Sequence, residues 1–407
     1  MSQGLFASWP DVWLLDGART PFVDYNGALA LVSPTDLAIK AARAAITRAG
    51  IASEAIGTVV AGSVAQASFD AYMLPRHIGL YAGLAQETPA HLVQRVCGTG
   101  IEALMQGADA ITHRGLDAAL CVGAESMSRN PIAAYTHRGG FRLGQVEFKD
   151  FLWEALLDPA PGRSMGETAE ALARRFDISR AEVDRFAAQS FARAIAAAEF
   201  RAGEIVPVVS EVFSRDGLND RSIRLARGVP EVGADTHARP SPLAVLERLP
   251  PAFGGVQTGG NSSAIVDGAA AAVIGRKALA AHPPLARIVA GVAIGCAPEI
   301  MGIGPVPAIE ALLARTGLTL DAIDRVEINE AFGAQVLACA RALDLDEARL
   351  NVNGGAIAIG HPLAATGLRL TLTLARELQR AGLRRGIASA CIGGGQGIAL
   401  LVENPEI

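Results

Sequence analysis

The sequence predicts an α/β fold in which two related α/β units pack about a pseudo-two-fold axis, with an inserted loop domain interrupting the first unit. Three observations indicate this. Runs typical of buried strands alternate with helical runs that end at glycine. The pattern of the first part of the chain returns in the last part. Between the two parts, longer helical stretches lie among proline- and glycine-rich connections.

The first unit is predicted to alternate strands and helices. Its strands are short runs rich in Val, Ile, Leu or Ala, and its helices have apolar residues at helical spacing. The predicted elements are the strand Val12–Asp16, the helix Pro34–Gly50, the strand Ile56–Gly62, the helix Gly98–Arg114 and the strand Ala118–Gly123.

The last part of the chain repeats this order of elements. The predicted elements are the helix Pro307–Gly317, the strand Arg325–Ile328, the helix Ala365–Gly382 and the strand Gly386–Ile392.

The two parts can be superposed residue by residue. When Gly50 is placed on Gly317, CGTG at 97–100 falls on AATG at 364–367 at the same separation along the chain. Cys121 falls on Cys391 at a slightly greater separation. We therefore predict an internal duplication.

Three regions follow from this comparison. We expect an N-terminal unit of residues 1–124 completed by residues 261–280, an inserted loop domain of residues 125–260, and a C-terminal unit of residues 281–407. Loops carried on a rigid sheet often form the binding surface, and we expect this of the insertion.

Composition and charge exclude several classes of protein. The 407 residues are 50% hydrophobic and 19% charged, which is typical of globular chains with more than one domain. The formal net charge is −5 and no basic block is present, so we expect no nucleic-acid partner. An anionic ligand would need a local basic cluster.

The N-terminus and the apolar runs of the sequence predict the cellular location. The segment MSQGLFASWPDVWLL lacks the charged start and cleavage site of a secretory signal, and no uncharged apolar run of about 18 residues occurs. We expect a soluble, cytoplasmic protein with no membrane partner.

The cysteines do not form a metal or disulfide pattern. Their number is odd and their spacing fits neither zinc ligation nor a disulfide framework, so no metal site is expected. They are Cys97, Cys121, Cys296, Cys339 and Cys391.

Cys97 is the first candidate catalytic residue. It stands in QRVCGTGIEAL, between an extended approach and the start of a helix. The positive end of a helix dipole stabilises a thiolate, which is the nucleophilic form. A buried structural cysteine at a helix start is the alternative.

His361 lies in NVNGGAIAIGHPLAATG, a glycine-rich loop just before a helix. An imidazole within hydrogen-bond reach of a thiol commonly activates it. Cys391 begins CIGGGQG, where exposed N–H groups of a glycine turn can stabilise an oxyanion. This run is not a dinucleotide fingerprint, because its spacing differs from GxGxxG and it lies too near the C-terminus.

Asn329 begins NEAFGAQ at the end of a predicted strand. Polar residues at strand ends commonly face a site in α/β folds, although Asn329 could also cap the next helix. Because the duplication puts Cys97 and the segment after His361 in equivalent places, we expect the four loops to converge on one pocket between the units.

Taken together, these motifs resemble those of the thiolases over nearly the whole chain. The matching segments are DGARTPF (16–22), VCGTG (96–100), GAESMSR (123–129), MGETAE (165–170), GNSSAIVDGAAA (260–271), MGIGPVP (301–307), NEAFGAQ (329–335), GHPLAATG (360–367) and CIGGGQG (391–397).

The resemblance implies roles for the candidate residues. Cys97 matches the nucleophile that accepts the acyl group, His361 the base that generates its thiolate, and Cys391 the second cysteine that moves a proton. Asn329 with His361 matches the pair that positions an oxyanion-binding water. The backbone N–H groups of Cys97 and Gly393 match a second oxyanion hole.

The resemblance also implies the substrates. Coenzyme A and acyl-CoA act as substrates, with no bound cofactor, in the cleavage of 3-ketoacyl-CoA or the reverse condensation. Met165 and Ser263 match positions lining the pantetheine channel, and Arg239 is the candidate for the 3′-phosphate. Members specialised for acetoacetyl-CoA often have His where Ser164 stands. A homodimer or homotetramer is implied.

Two alternatives to an active thiolase stay open on the sequence. One is a condensing enzyme acting on other thioesters. The other is an inactive homologue that binds acyl-CoA, although such a protein has no need of all four candidate catalytic residues.

Overall fold

The computed structural model describes residues 4–65, 70–135, 137–141, 143–144 and 146–407, and of residue 137 only the backbone. The remaining positions of the predicted first unit and of the insertion lie outside the described residues.

The helices are α1 (Pro34–Ala49), α2 (Leu74–Tyr81), α3 (Thr99–His113), α4 (Phe151–Ala155), α5 (Met165–Arg175), α6 (Arg180–Ala196), α7 (Ala198–Ala202), α8 (Leu243–Leu246), α9 (Pro305–Thr316), α10 (Gly333–Leu343), α11 (Ala356–Ile359) and α12 (Leu363–Ala381).

The strands are β1 (Leu5–Ser8), β2 (Trp13–Arg19), β3 (Val23–Asp24), β4 (Ile56–Gly62), β5 (Ala90–Leu92), β6 (Ala118–Glu125), β7 (Ile132–Ala133), β8 (Lys149–Asp150), β9 (Leu157–Asp158), β10 (Arg163–Ser164), β11 (Val208–Val209), β12 (Glu211–Phe213), β13 (Arg221–Ile223), β14 (Glu231–Val232), β15 (Val266–Gly275), β16 (Ala286–Gly295), β17 (Arg325–Ile328), β18 (Arg385–Ile392) and β19 (Gln396–Glu403).

Local signals in the sequence explain the limits of α1. Ser33 caps its N-terminus by accepting a hydrogen bond from the N–H of Thr35, and Pro34 occupies the first turn, where its missing N–H costs nothing. Gly50 ends the helix at φ 65°, a left-handed conformation that glycine adopts without a steric penalty. The helix therefore has the limits that the sequence predicts.

The main sheet is symmetric about its centre, which confirms the predicted duplication. Its strand order is β17-β18-β19-β16-β2-β15-β6-β4-β5. On one side of the β16–β2 contact, β16, β19 and β18 pair antiparallel and β18 pairs parallel with β17. On the other side, β2, β15 and β6 pair antiparallel and β6 pairs parallel with β4. Both halves thus have the same order and the same pairing.

The halves of the sheet enclose two central helices. Helix α3 contacts β4, β6 and β15 of the first half and β19 of the second, and α12 contacts β6 and β15 as well as β17 and β18. Helix α1 covers the outer face of the first half and α9 that of the second. Helix, sheet, helix, sheet and helix follow one another, as the predicted layered fold requires.

The central helices touch backbone to backbone near their N-termini. A Cβ atom placed on Gly100 of α3 would lie 2.6 Å from the Leu368 nitrogen and 2.9 Å from the Ala364 oxygen. A Cβ on Gly367 of α12 would lie 2.4 Å from the Ile101 nitrogen. Only glycine allows this approach, and it brings the two helix starts together.

Buried ion pairs attach the inserted segment to the first unit. Arg19 at the end of β2 contacts Glu204 at 2.9 Å and Asp235 at 2.6 Å, and all three side chains are buried. Backbone hydrogen bonds between Arg19 and Glu204 and between Val206 and Arg19 continue this attachment. In the part of the chain that the structure describes, no helix combines the length and apolarity needed to cross a membrane.

Gly100→Ala tests the contact between the central helices. The added methyl group meets backbone atoms that cannot turn aside, and overpacking of this kind costs roughly 1–3 kcal/mol. We expect the thermal midpoint to fall by at least about 2 °C. Gly139→Ala is the control, because among the described residues no atom beyond its two chain neighbours lies within 4 Å of its Cβ position. Equal midpoints for the two variants would contradict the close contact.

Candidate active site

Cys97 lies on a strained turn that leads into α3. Val96, the residue before it, has φ 42°, a conformation that β-branched residues rarely adopt. The Thr99 hydroxyl holds the turn by accepting from the N–H of Arg95 at 2.9 Å and donating to the Val96 carbonyl at 2.7 Å. The turn directs the thiol toward the segment that begins at Gly393.

The Cys97 thiol is buried and is contacted by two backbone donors. The N–H groups of Gly393 and of Cys97 itself face its sulfur and favour the thiolate. Burial raises the pKa of the thiol to about 11, and the Glu125 carboxylate raises it further, while the two N–H groups act in the opposite direction. The expected stabilisation of thiolate by the helix dipole is therefore outweighed by burial.

His361 is held in one orientation by a hydroxyl group. Its Nδ1 lies 2.6 Å from the Thr366 Oγ1, and that hydroxyl donates to the Pro362 carbonyl at 3.2 Å. The hydroxyl therefore accepts from Nδ1–H, which leaves the lone pair on Nε2. Burial, and then the charge of Arg369, lowers the pKa of His361 to about 3, so the imidazole is neutral.

Asn329 completes this group. Its side-chain Nδ2 lies 3.2 Å from the His361 Nε2, and its Oδ1 is buried with no hydrogen-bond partner among the described residues. Helix α10 has Phe332 at its N-cap, so the alternative that Asn329 caps the helix is wrong. The neighbouring Glu330 is buried and accepts from the Ser190 hydroxyl at 2.7 Å.

Cys391 is fully buried at the end of β18. Burial raises the pKa of its thiol, and the nearby Cys97 raises it further. The glycine turn that follows has φ 86° at Gly394 and φ 81° at Gly395. This turn exposes the N–H of Gly393 to the Cys97 sulfur, so both cysteines face the same small region.

An apolar cavity of about 220 Å³ adjoins these groups. His361, Met165 and Ser263 are among its lining residues. The two thiols lie behind the lining, since Cys97 packs in one apolar cluster with Met127 and Leu363, and Cys391 packs with Met165. The structure therefore brings together the catalytic candidates and two of the three predicted CoA contacts.

Arg239 lies apart from that group. It is exposed and lines a second cavity of about 520 Å³, which shares Ala252 and Gly259 with the first. Its Nη1 lies 3.2 Å from the His237 Nδ1. Among the residues that the structure describes, no cluster of His, Cys, Asp and Glu could hold a metal ion.

Two residues of the site were missed by the sequence analysis. Thr366 orients His361. The only feature of the sequence that indicates this role is a hydroxyl side chain in the first turn of the helix that follows the pair His361–Pro362. Glu125 affects Cys97, and its only signal is a carboxylate at the end of an otherwise apolar strand. Neither signal identifies a role without the fold.

The arrangement is suited to acyl transfer through a cysteine. It combines a thiol with two N–H donors, a neutral imidazole whose Nε2 lone pair faces the Asn329 amide, and a second thiol in a region shielded from water. A nucleophile, a base and oxyanion donors are the groups that such chemistry requires. Fold and site thus define a cysteine-dependent acyltransferase.

Comparison with known proteins gives the family. The family models described as "Thiolase, N-terminal domain" and "Thiolase, C-terminal domain" match residues 12–278 and 282–404. The chain belongs to the thiolase family, and it is an acyltransferase with thiolase activity.

Relatives agree over nearly the full length. A bovine protein named mitochondrial 3-ketoacyl-CoA thiolase is 44% identical, with 97% of this chain and 98% of that protein covered. The crystal structure of the human mitochondrial 3-ketoacyl-CoA thiolase, 42% identical, superposes with a TM-score of 0.90 over 97% of this chain and 99% of that one. The same human enzyme in complex with CoA gives 0.89, over 97% and 98%.

The prediction of a cytoplasmic location is wrong on this comparison, because the bovine and human relatives are named as mitochondrial proteins. The prediction tested only for a secretory leader and for membrane-spanning runs. Neither feature distinguishes the cytoplasm from the interior of an organelle.

Thr366→Val tests how His361 is oriented. The buried Nδ1–H loses its acceptor, and a lost buried partner costs roughly 1–3 kcal/mol, which is about 5- to 150-fold in rate. We expect kcat of the thiolase reaction to fall in this range. Thr371→Val is the matched control, because among the described residues its hydroxyl bonds only the Gly367 carbonyl one turn back in α12. Equal losses in both variants would argue against an orienting role.

The protonation state of Cys97 predicts how it reacts without substrate. Only the thiolate is alkylated, and the pKa of the thiol is about 11. We expect the rate of iodoacetamide alkylation to rise about tenfold per pH unit between pH 7 and 10. Peptide mass spectrometry must assign the site, since Cys296 is partly exposed and can react as well. A rate that is already constant at neutral pH would mean a preformed thiolate.

Proposed function

We propose that this enzyme cleaves 3-ketoacyl-CoA with coenzyme A to acetyl-CoA and a shortened acyl-CoA, and catalyses the reverse condensation, through an acyl group on Cys97. The observation that carries this proposal is the buried Cys97 sulfur, which two backbone N–H groups face beside a second cysteine. The names of the bovine and human relatives support the substrate class.

The first half-reaction forms the acyl-enzyme. His361 accepts the Cys97 proton on Nε2 as the sulfur attacks the C3 carbonyl carbon. The bond between C2 and C3 then breaks, its electron pair goes to C2 of the departing acetyl-CoA, and the Cys391 thiol protonates that carbon. Because thiol and imidazole are both neutral at rest, the charge separation arises only when substrate is attacked.

The second half-reaction releases the acyl group. The Cys391 thiolate takes the proton of the CoA thiol, and the CoA sulfur attacks the acyl carbonyl. The bond to the Cys97 sulfur breaks, and Cys97 regains its proton from His361. Every group returns to its starting state, as a ping-pong cycle requires.

Two sets of donors would stabilise the negative oxygens. The N–H groups of Cys97 and Gly393 already point at the sulfur, so they are placed for an oxyanion on the carbon bound to it. Asn329 with His361 would position a water for the oxygen of the acetyl-CoA enolate. Loss of one such donor commonly costs about 10²–10³ in rate.

The two adjoining cavities suggest a path for coenzyme A. Met165 and Ser263 line the first cavity, where the pantetheine would lie. Arg239 in the second cavity would face the 3′-phosphate. The net charge of −5 does not attract the CoA anion to the protein as a whole. The local positive charge of Arg239 would therefore bind the phosphate.

We also propose that acyl chains longer than that of acetoacetyl-CoA are accepted. Ser164 stands where acetoacetyl-specific members often have His, and its side chain caps α5. Trp153, Leu156, Phe253 and Leu363 make the cavity wall largely apolar. We also propose that the enzyme is a homodimer or homotetramer. The proposed domains are an N-terminal unit of residues 1–124 with 261–280, an inserted loop domain of residues 125–260 and a C-terminal unit of residues 281–407.

Acylation of Cys97 tests the proposal. We expect wild-type enzyme mixed with acetyl-CoA to gain the mass of one acetyl group, and Cys97→Ala to gain none and to lack activity. Cys121→Ala is the control, because Cys121 is a fully buried strand residue that bonds the Ala103 carbonyl outside the site. A wild-type enzyme without an adduct, or an active Cys97→Ala, would refute the mechanism.

Cys391→Ala tests whether the two cysteines have different roles, acyl transfer for Cys97 and proton transfer for Cys391. This variant should still acquire the acetyl group, because the CoA sulfur can leave as a thiolate without a proton. Its thiolysis of 3-ketoacyl-CoA should fall by at least about 10²-fold, because no group protonates the departing carbon. If acylation and thiolysis fell equally, the proton-transfer role of Cys391 would be wrong. Thiolysis rates across a series of 3-ketoacyl chain lengths would test the chain-length proposal.

A further inference from the structure

We propose that Glu125 is a positioning residue of the acyl-transfer site: its carboxylate joins the segment after His361 to the segment packed on Cys97, and its charge adds to the effect of burial in disfavouring the Cys97 thiolate. This inference rests on the proposed function, since it assigns Glu125 a part in that mechanism.

Glu125 ends β6 and is completely buried. Its Oε1 accepts hydrogen bonds from the Ser63 hydroxyl at 3.2 Å and from the N–H of Ala65 at 3.1 Å. Its Oε2 accepts from the N–H of Val64 at 3.0 Å and from the N–H of Ala364 at 3.2 Å. The carboxylate is thus shared between the loop after β4 and the first turn of α12.

The chemistry of these partners requires a carboxylate. Four donors point at two oxygens, and only an ionised carboxyl group accepts at both oxygens without donating. None of the four donors is a cation, so the negative charge is held by dipoles alone. A buried charge without a cation is costly, which argues that its charge has a use beyond cross-linking the chain.

The two segments that Glu125 joins by hydrogen bonds both pack against the nucleophile, Cys97. Val64 on one side and Leu363 with Ala364 on the other pack against Cys97 in a single apolar cluster. Ala364 follows His361 closely, in the first turn of α12. One carboxylate therefore sets the relative position of the thiol and of the chain segment that carries the base.

The charge of Glu125 acts on the same thiol. Two titratable groups influence Cys97: Glu125 at the end of β6 and Cys391 at the end of β18. His361 lies on the loop before α12, and the charge of Arg369 in α12 lowers the pKa of its imidazole. Burial raises the pKa of Glu125 to about 6, so the group is ionised at pH 7 to 8. A negative charge beside a thiol disfavours the thiolate.

Two substitutions separate the hydrogen bonds from the charge. Glu125→Gln keeps the size, removes the charge and turns an NH₂ group toward N–H donors. Glu125→Asp keeps the charge but is one methylene too short to reach both segments. For each variant, we would measure kcat for thiolysis and the pH dependence of iodoacetamide alkylation of Cys97.

We expect opposite changes in the Gln variant. Alkylation of Cys97 between pH 7 and 9 should become at least about threefold faster, because the thiolate is no longer opposed, while kcat falls at least about tenfold because the base is displaced. Below pH 6 the gain in alkylation should disappear, since wild-type Glu125 is then protonated as well. The Asp variant should lose kcat and keep the wild-type alkylation curve.

Glu330→Gln is the matched control for the charge. Glu330, which follows Asn329 in the chain, is also buried and accepts hydrogen bonds from the Ser190 hydroxyl, the Asn351 side chain and the N–H of Ile357. Its substitution should leave the alkylation curve of Cys97 unchanged. A faster alkylation in this control as well would show that loosening of the fold, not the charge of Glu125, causes the effect.

The wild-type enzyme provides a test that needs no variant. Ionisation of Glu125 should appear as a flattening near pH 6 in the otherwise linear rise of the logarithm of the alkylation rate with pH. A straight line through pH 6, or an unshifted curve in Glu125→Gln, overturns the charge role. Wild-type kcat in both Glu125 variants overturns the positioning role. Alkylation uses no CoA substrate, so these outcomes are distinct from a missing acetyl adduct, which would refute the proposed function itself.

Discussion

The active-site geometry depends on one contact, the backbone-to-backbone approach of α3 and α12 at Gly100 and Gly367. These helices are equivalent elements of the two units, and each begins just after a candidate catalytic residue. Because no Cβ separates them, the turn that carries Cys97 and the loop that carries His361 come together in the interior. Side chains at either position would force the two helix starts apart and open the site.

Burial between the two halves of the sheet then determines the chemistry. It raises the pKa of the Cys97 thiol and lowers that of the His361 imidazole, so both groups are neutral without substrate. A low-dielectric surrounding also strengthens every hydrogen bond to a developing oxyanion. The same burial that makes the thiolate costly at rest makes the N–H groups of Cys97 and Gly393 effective donors during reaction.

Much of the fold could be predicted because it depends on local patterns. The strands Ile56–Gly62 and Arg325–Ile328 have their predicted limits, since short β-branched runs ended by turn residues have few alternatives. Helix limits differ by at most a few residues, as at α12, where Pro362 rather than an alanine sets the start. Superposing the two parts of the chain predicted which loops meet, because equivalent elements occupy equivalent places in a duplicated fold.

The sequence by itself determined the α/β class, the duplication and the residue types that take part in chemistry, because periodicity, glycine positions and motif spacing are properties of neighbouring residues. Only the tertiary structure decided that the Cys97 thiol is protonated, that Thr366 orients the imidazole and that Glu125 bridges two segments around the nucleophile. A pKa and a hydrogen bond depend on which groups from distant parts of the chain surround an atom and exclude water from it. That surrounding comes into existence only when the two halves of the sheet close over α3 and α12.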